Sequence, residues 1–323
     1  MVSSNGAYDS KRGVTQVEGG LWQIDLGFQG RAGVIAAYLL TDGREAALIE
    51  TGPSSCLPNL LEGVRRAGFS MEMITTILVT HIHLDHAGAA GVLARANPNV
   101  KVHVHPFGAS HLADPVKLIS SAGRIYGGRM ETLWGEIAPV PRAQIVELVD
   151  GETLKVAGRK LEALFTPGHA WHHAAFVDVN EGAAFTGDVA GIRMTGTDYV
   201  CAPTPPPDLD EAAWRESIAK LKATHVRRLY LTHFGAYDDA PRQLDAVLDS
   251  LAQFLAIGDR LVSGETDQAA LTEALHTAMS AGIGDVPAGI LENLEWSTPS
   301  YMAALGLTRY FSPKSRSHRA AVR

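Results

Sequence analysis

The feature that most constrains this chain is the segment THIHLDHAG at residues 80–88, which directly follows a short apolar run. The apolar run predicts a buried strand. The segment places three histidines and an aspartate within six positions just where this strand is expected to end. Alternate residues of a strand point the same way, so His81 and His83 are expected on one side, with Asp85 and His86 in the turn beyond. Imidazole and carboxylate groups are ordinary metal ligands, whereas a helix cap needs only one such side chain. The segment therefore predicts a metal site at a strand end.

Three later segments also place one ligand-type residue beside a glycine after an apolar run. They are TPGHA with His169, FTGDV with Asp188 and LTHFG with His233. Glycine permits the tight turn that such a position needs. Each segment alone is more typical of a turn, but together with the first they supply seven candidate ligands. Seven ligands are too many for one tetrahedral ion and indicate two metal ions that share a bridge.

Strand-like and helix-like patterns alternate along the chain, which predicts an α/β fold. Residues 57–69 have apolar side chains at helical spacing, and Asp210 is a candidate helix cap. Residues 145–156 are predicted to form a hairpin about Asp150 and Gly151. Both halves of the chain run through strands and a helix to a strand that ends in ligand-type residues. We therefore expect two sheets packed face to face with helices outside.

The predicted domain organisation has one main domain with additions. Residues 1–20 are expected to be a disordered lead-in, because they are polar and lack periodicity. The main domain is expected at residues 21–240, with a helical insertion near the site at residues 107–141. Helices at residues 241–311 are expected to pack on the domain, and residues 312–323 to form a flexible tail.

Composition limits the partners and the location of the protein. The formal net charge of −7, without a run of Lys and Arg before the C-terminal tail, argues against nucleic-acid binding. Two cysteines fit a reducing compartment, and no apolar run approaches the roughly 20 residues of a membrane span. We expect a cytoplasmic protein with a small-molecule substrate and no membrane partner. The apolar helical stretches after residue 240 suit either closure of a pocket or a homodimer interface.

The four motifs, taken in order, resemble the metallo-β-lactamase superfamily over about residues 20–240. The resemblance implies a four-layer αββα sandwich with metals at the strand ends, here with extra helices at the C-terminus. It implies two divalent ions, with zinc favoured by the histidine-rich set and Fe or Mn compatible with a bridging carboxylate. It assigns His81, His83 and His169 to the first metal, Asp85, His86 and His233 to the second, and Asp188 to both.

Two positions refine this resemblance. The aspartate of TGD, Asp188, is similar to the bridging residue of glyoxalase II-like thioesterases and lactonases, and the lactam-hydrolysing enzymes generally lack it. Nucleases and phosphodiesterases of the superfamily share this aspartate. In LIETG, Glu50 stands where the family usually has Asp, and this residue is expected to brace the metal-bearing turns.

The leading prediction is a dinuclear metal-dependent hydrolase of a small ester, lactone or thioester. Two bridged divalent ions lower the pKa of the solvent between them, which gives a metal-bridging hydroxide as nucleophile. Asp85 is the candidate catalytic residue that orients this hydroxide and carries its proton to the leaving group. Candidate substrate-binding residues are Tyr126 for the pocket wall, Tyr199 for the carbonyl and Arg193 for an anionic group.

Two alternatives use the same scaffold. A phosphodiesterase or nuclease would use the same two-metal site, but the acidic net charge counts against it. A mononuclear-iron enzyme resembling the persulfide dioxygenases would keep the same motif. Flavodiiron proteins carry glutamate where this chain has His83, which argues against that class. The histidines beside the third motif, His172 and His173, are expected to be bystanders.

Overall fold

The structure is a computed structural model that describes residues 13–262 and 267–312. The chain forms two compact units, which divide between Ala163 and Leu164. This division runs through the span predicted as one domain, residues 21–240, because most strands of each sheet and their covering helices belong to one half of the chain. The α/β class, with two mixed sheets and additional C-terminal helices, is confirmed.

The first sheet has seven strands in chain order. They are β1 (Val14–Glu18), β2 (Leu21–Asp25), β3 (Ala36–Thr41), β4 (Ala46–Ile49), β5 (Ile74–Leu78), β6 (Lys101–Val104) and β7 (Ile145–Glu147). Strands β1 to β4 pair antiparallel, whereas β4 to β7 pair parallel. Parallel strands end at a common edge, so the segments that follow β4, β5 and β6 meet there. The segment THIHLDHAG follows β5 at this edge.

Strand β1 corrects the predicted disordered lead-in at residues 1–20. Val14 pairs with Ile24 of β2, and the strand begins six residues before the predicted end of the lead-in. An edge strand pairs on one side only and stays half-exposed, so its sequence shows little apolar alternation. Residues 1–12 lie outside the described residues.

Six α-helices belong to the first unit within the described residues. They are α1 (Leu57–Arg66), α2 (Leu84–Ala87), α3 (Ala90–Ala96), α4 (Pro106–Ala113), α5 (Val116–Tyr126) and α6 (Met130–Trp134). Helix α1 buries Leu60 and Val64 on the side that packs on β2, since these residues lie one turn apart. Helices α4 to α6 lie in the span where a helical insertion is predicted.

The predicted hairpin at residues 145–156 is wrong. Strand β7 pairs with β6 in the first sheet, whereas β8 (Thr153–Val156) pairs antiparallel with β9 (Arg159–Phe165). The hairpin that does form turns at Ala157 and Gly158, with φ of 46° and 79°. Two consecutive positive φ angles are the signature of a type I′ turn. The Asp150-Gly151 pair instead marks the passage from one sheet to the other.

The second sheet has the strand order β13-β12-β11-β10-β9-β8. Its remaining strands are β10 (Ala174–Asp178), β11 (Ala183–Phe185), β12 (Arg228–Leu231) and β13 (Gly235–Tyr237). Strands β11 and β12 are parallel, because helix α7 (Glu211–Ala223) lies between them in the chain and returns it to the same end. The segments that follow β11 and β12 therefore share an edge.

Helix α7 begins at the cap predicted from sequence. The Asp210 carboxylate accepts a hydrogen bond from the Ala213 backbone N–H at 3.0 Å. Trp214, Ile218 and Leu221 form the buried face of this helix. The indole N–H of Trp214 donates to the carbonyl oxygen of Val189 at 2.7 Å, which ties α7 to the segment after β11.

Four helices complete the second unit within residues 164–262 and 267–312. They are α8 (Ala240–Val262), α9 (Gln268–Ile283), α10 (Ala288–Ser297) and α11 (Ser300–Phe311). Helix α8 packs against α7, α9 and α11. No described helix combines the length and the apolar character that crossing a membrane requires. The predicted tail lies outside the described residues from 313 onward.

Candidate metal centre

The predicted ligands of the first unit lie in the turn that follows β5. The strand ends at Leu78, so His81 and His83 are not strand residues, which corrects the expected strand alternation. The chain leaves the sheet here because the Thr80 backbone N–H donates to a carboxylate oxygen of Glu50 at 3.2 Å, away from the strand ladder. Helix α2 then starts at Leu84.

This turn brings the four predicted side chains of the motif together. The His81 Nε2 atom is 2.9 Å from His83 Nδ1, and the rings of His81 and His86 have centroids 3.9 Å apart. An Asp85 carboxylate oxygen lies 3.9 Å from His86 Nε2. His81 and His86 are fully buried, whereas His83 and Asp85 are half-buried. Three imidazoles and a carboxylate thus present ligand atoms in one small volume.

Glu50 fixes the orientation of two of these imidazoles. It is buried at φ +65°, and its Oε1 accepts hydrogen bonds from Thr80 Oγ1 at 2.5 Å and His86 Nδ1 at 2.9 Å. Thr80 Oγ1 is also 3.0 Å from His81 Nδ1. With protons on both Nδ1 atoms, the Nε2 lone pairs of His81 and His86 remain available. Metal-binding histidines typically have their second nitrogen held in this way.

The predicted ligands of the second unit also converge. His169 follows β9, Asp188 follows β11 and His233 follows β12. One oxygen of Asp188 lies 3.3 Å from His169 Nε2, and the other lies 3.7 Å from His233 Nε2. A single buried carboxylate therefore offers one oxygen toward each of two imidazoles.

Packing and hydrogen bonding fix His169. Its Nδ1 N–H donates to the carbonyl oxygen of Pro203 at 2.9 Å, and its ring meets the Trp214 ring edge-on at 5.8 Å. The preceding Gly168 has φ +136°, and a Cβ atom there would lie 2.4 Å from Trp214 Cα. The glycine of TPGHA is therefore required by the close approach of α7 as well as by its own backbone conformation.

His173, expected to be a bystander, holds the aspartate turn. It is fully buried, its Nε2 accepts a hydrogen bond from the Asp188 backbone N–H at 3.2 Å, and its Nδ1 lies 2.8 Å from Thr166 Oγ1. The ring therefore carries its proton on Nδ1. The sequence did contain a signal for the burial of His173, because an apolar strand follows it immediately and a histidine at the start of a buried strand is enclosed. His172 instead lies 3.8 Å from an Asp208 oxygen and is partly exposed.

Arg193 is not available for an anionic substrate, which corrects that prediction. Its guanidinium is buried, pairs with Asp198 at 2.5 Å and Asp239 at 2.8 Å, and lies 4.2 Å from the centre of the Tyr237 ring. Two carboxylates already neutralise this charge. The Arg193 backbone N–H donates to the carbonyl oxygen of His233 at 2.8 Å, so the residue supports a predicted ligand instead.

The two tyrosines predicted for substrate binding take packing positions. Tyr126 meets Trp134 edge-on at 5.0 Å, and Trp134 stacks on Phe28 at 5.7 Å, so Tyr126 anchors the end of α5. Tyr199 lies against Gly282 of α9 and borders a cavity of about 600 Å³. Burial raises the pKa of Tyr199 far above its ordinary value.

Neither cysteine is suited to nucleophilic catalysis. Cys56 and Cys201 are both free and buried. Burial raises the pKa of each thiol to about 12, so the reactive thiolate is scarce at neutral pH.

His105 has a structural role at the start of α4. Its Nδ1 accepts a hydrogen bond from the Phe107 backbone N–H at 3.1 Å and so caps the helix. Burial lowers the pKa of His105 to about 4. The imidazole is therefore neutral at physiological pH, as a cap acceptor must be.

In each unit, histidines and carboxylates lie after the strand ends of a mixed sheet, which is typical of α/β proteins of the metallo-hydrolase class. The model of the metallo-beta-lactamase superfamily matches residues 30–233, a span that contains every predicted ligand. Because this match covers more than half of the chain, the protein belongs to the metallo-β-lactamase superfamily. Membership implies that it binds divalent metal.

Solved structures show the same fold. A metallo-beta-lactamase family protein of Thermus thermophilus aligns with a TM-score of 0.69 over 94% of this chain and 96% of its own, at 22% identity. An archaeal metallo-beta-lactamase superfamily protein of Sulfolobus tokodaii aligns with a TM-score of 0.63 over 89% and 98%, also at 22% identity. The metallo-β-lactamase fold predicted from the motifs is therefore confirmed.

Curated relatives include a named hydrolase. An atrochrysone carboxyl ACP thioesterase of Aspergillus fumigatus is 27% identical over 264 residues, which cover 77% of this chain and 70% of the relative. A metallo-beta-lactamase fold-containing protein of Sulfurisphaera tokodaii is 26% identical over 206 residues, which cover 62% and 73%. Family and relatives together identify the chain as a hydrolytic enzyme.

Proposed function

We propose that this protein is a dinuclear metal-dependent hydrolase of acyl thioesters, within the ester, lactone and thioester class predicted from the sequence. The observation that carries the proposal is the Asp188 carboxylate, which offers one oxygen toward His169 and the other toward His233. A carboxylate so placed suits two ions better than one. The ions would be held by His81, His83 and His169, by Asp85, His86 and His233, and by Asp188 as the shared ligand.

The donor set fits zinc-type divalent ions. Five of the seven side chains are imidazoles, and the outer nitrogens of His81, His86 and His169 are held by Thr80, Glu50 and Pro203 in the manner of metal-bound histidines. When bound, two such ions supply an acidified water and a Lewis acid for the carbonyl oxygen. His173 and Glu50 keep the aspartate turn and the histidine turn in place, so little reorganisation is needed.

Asp85 is the residue we assign to proton transfer. Its side chain is 21% exposed, unlike the buried carboxylates of Glu50 and Asp188, so substrate and solvent can reach it. A carboxylate in this position can take a proton and deliver it to the departing sulfur. Arg193 takes no part in this step, because its charge is already paired.

One relative favours a thioester among the ester-like substrates. The Aspergillus fumigatus relative is named as a thioesterase, at 27% identity over 77% of this chain. The net charge of −7 counts against a polyanionic phosphodiester substrate.

The test is a substrate panel with metal-loaded protein. An acyl N-acetylcysteamine thioester, a γ-lactone and a phosphodiester would be assayed at matched concentrations, and the thioester should give the highest kcat/KM. His83→Ala should lower that kcat/KM by more than about 100-fold, since loss of a residue that only orients a ligand already costs about 10–100-fold. His111→Ala, a partly exposed histidine of α4 outside both clusters, serves as the matched control.

The outcomes separate the competing functions. Turnover of the phosphodiester alone would replace the proposal with a phosphodiesterase. Full activity in His83→Ala, with an unchanged circular dichroism spectrum, would overturn the ligand assignment. Elemental analysis should give two metals per chain, whereas one iron with oxygen uptake would favour a dioxygenase.

A further inference from the structure

The outward face of α5 combines apolar and basic side chains. Val116 is 67% exposed and Ile119 is 37% exposed, although both are large aliphatic residues. Lys117 and Arg124 are exposed on the same face, whereas Ala122 on the opposite face is buried. Residues at these spacings lie on one side of a helix. Val116 and Ile119 lie three positions apart, so they offer a partner adjoining apolar surface on this face. We call these four exposed residues the α5 patch.

The charges of the α5 patch have no acidic partner among the described residues, although Arg124 Nη1 donates to Ser120 Oγ at 3.5 Å. Among the described residues, neither Lys117 nor Arg124 forms an ion pair, and α5 contains no acidic residue. Other exposed arginines on helices of this protein do have acidic partners, as Arg65 has Glu62 and Arg95 has Glu136. The α5 patch is therefore a local cationic surface on a chain whose net charge is −7.

The helices on both sides of α5 connect it to the edge of the first sheet that carries the histidine motif. Helix α4 leaves this edge directly after β6 and leads into α5. Two hydrogen bonds hold helix α6, which follows α5. Gln29 Nε2 donates to the Thr132 carbonyl oxygen at 2.8 Å, and Ser55 Oγ donates to the Leu133 carbonyl oxygen at 2.6 Å. Anchored helices on both sides give α5 a defined position.

We propose that the α5 patch docks an acidic carrier protein that presents the acyl thioester on a flexible arm. This inference rests on the proposed function. Acidic side chains of the carrier would pair with Lys117 and Arg124, and its apolar side chains would cover Val116 and Ile119. Ser120 lies on the same exposed face and is small enough for a partner helix to approach closely. A small free thioester needs no such surface, so docking selects the carrier-bound substrate.

The experiment compares one acyl group on two carriers. Octanoyl thioester would be supplied on a bacterial acyl carrier protein, which is acidic, and as the N-acetylcysteamine thioester. The docking variant is Lys117→Glu with Arg124→Glu. The control is Lys155→Glu with Lys160→Glu, an exposed pair on β8 and β9 that changes the net charge equally. The docking variant should lose about tenfold in kcat/KM on the protein-bound thioester, mainly through KM, because two attractive contacts become repulsive.

The small thioester separates docking from catalysis. Its kcat/KM should stay within about twofold in both variants, and added salt should weaken only turnover of the protein-bound substrate. If the docking variant and the control hydrolysed the protein-bound thioester equally well, the proposal would be overturned.

Binding gives a readout that does not require turnover. If neither thioester were hydrolysed, the proposed function would fall, and docking would be judged by anisotropy of a labelled, non-acylated carrier protein. Its Kd should rise about tenfold in the docking variant and stay constant in the control. Equal Kd values would overturn the proposal. Binding of wild-type protein to phosphatidylglycerol vesicles, lost in the docking variant without a change on the carrier, would reassign the α5 patch to a lipid surface.

Discussion

Replacing Glu50 by glutamine tests whether this buried carboxylate organises the histidine turn. The side chain is 1% exposed and accepts hydrogen bonds from the Thr80 hydroxyl, the Thr80 backbone N–H and His86 Nδ1. Glutamine has nearly the same shape, but one of its oxygens becomes an NH₂ group that can only donate. At least one of the three donors would then face another donor.

The structure sets the size of the expected effect. A hydrogen bond to a charged group contributes about 1.5–3 kcal/mol and a neutral one about 0.5–1.5 kcal/mol, so lost charge weakens each of the three bonds by about 1 kcal/mol. The free energy of unfolding should therefore fall by about 2–4 kcal/mol. Divalent metal affinity should fall about 10–100-fold, because Glu50 orients the candidate ligand His86.

Two measurements test this expectation. Urea unfolding gives the change in free energy, and competition with a fluorescent zinc chelator gives the metal Kd. Glu45→Gln is the control, since it makes the same chemical change on an exposed side chain and should alter stability by no more than about 0.5 kcal/mol. If the Glu50→Gln protein had the same urea midpoint and the same zinc Kd as the wild type, the role assigned to this carboxylate would be refuted.

Two further perturbations test other parts of the structure. His173→Leu leaves the Asp188 backbone N–H and the Thr166 hydroxyl without their hydrogen-bond partner, so it should lower the free energy of unfolding by about 2–4 kcal/mol and reduce the bound metal measured by mass spectrometry. His173→Gln can still accept a hydrogen bond and should recover part of both losses. If it recovered neither, His173 would not have the positioning role assigned to it. Burial holds the pKa of His105 at about 4 against 6.5, so the unfolded state binds more protons and stability should fall by up to about 3 kcal/mol as pH drops from 6.5 to 4. His105→Asn keeps a hydrogen-bond acceptor at the helix cap but does not titrate in this pH range. If urea unfolding showed the same loss of stability between pH 6.5 and 4 in the wild type and in this variant, His105 would not be the group responsible.

The candidate ligands were predictable because their chemistry is local. A histidine motif after an apolar run needs only a strand end and a turn, and the structure provides both after β5. The detailed conformation was not predictable, since the strand stops at Leu78 when Thr80 turns to Glu50, thirty positions away in the chain. Long-range hydrogen bonds of this kind leave no mark in a local window of sequence.

Two wrong predictions, for Arg193 and for the hairpin, have the same cause, which is a contact with residues outside the local sequence. The polarity of Arg193 suggested a substrate contact, but its charge is satisfied by Asp239, which lies forty-six positions further along the chain. The hairpin about Asp150 and Gly151 was predicted from a turn signal that is correct locally. Pairing of β7 with β6 and of β8 with β9 overrides it. Local propensity therefore indicated the turn but not the strands that it connects.

The burial of the two cysteines has a practical consequence for following this protein in solution. Each unit contains one thiol, Cys56 in the first and Cys201 in the second, and both are enclosed and protonated in the native state. An alkylating reagent can reach a thiol only when the surrounding structure opens. The protein thus carries an intrinsic reporter of opening in each half. Comparing the two labelling rates with and without a divalent ion measures how much metal binding stabilises each half separately.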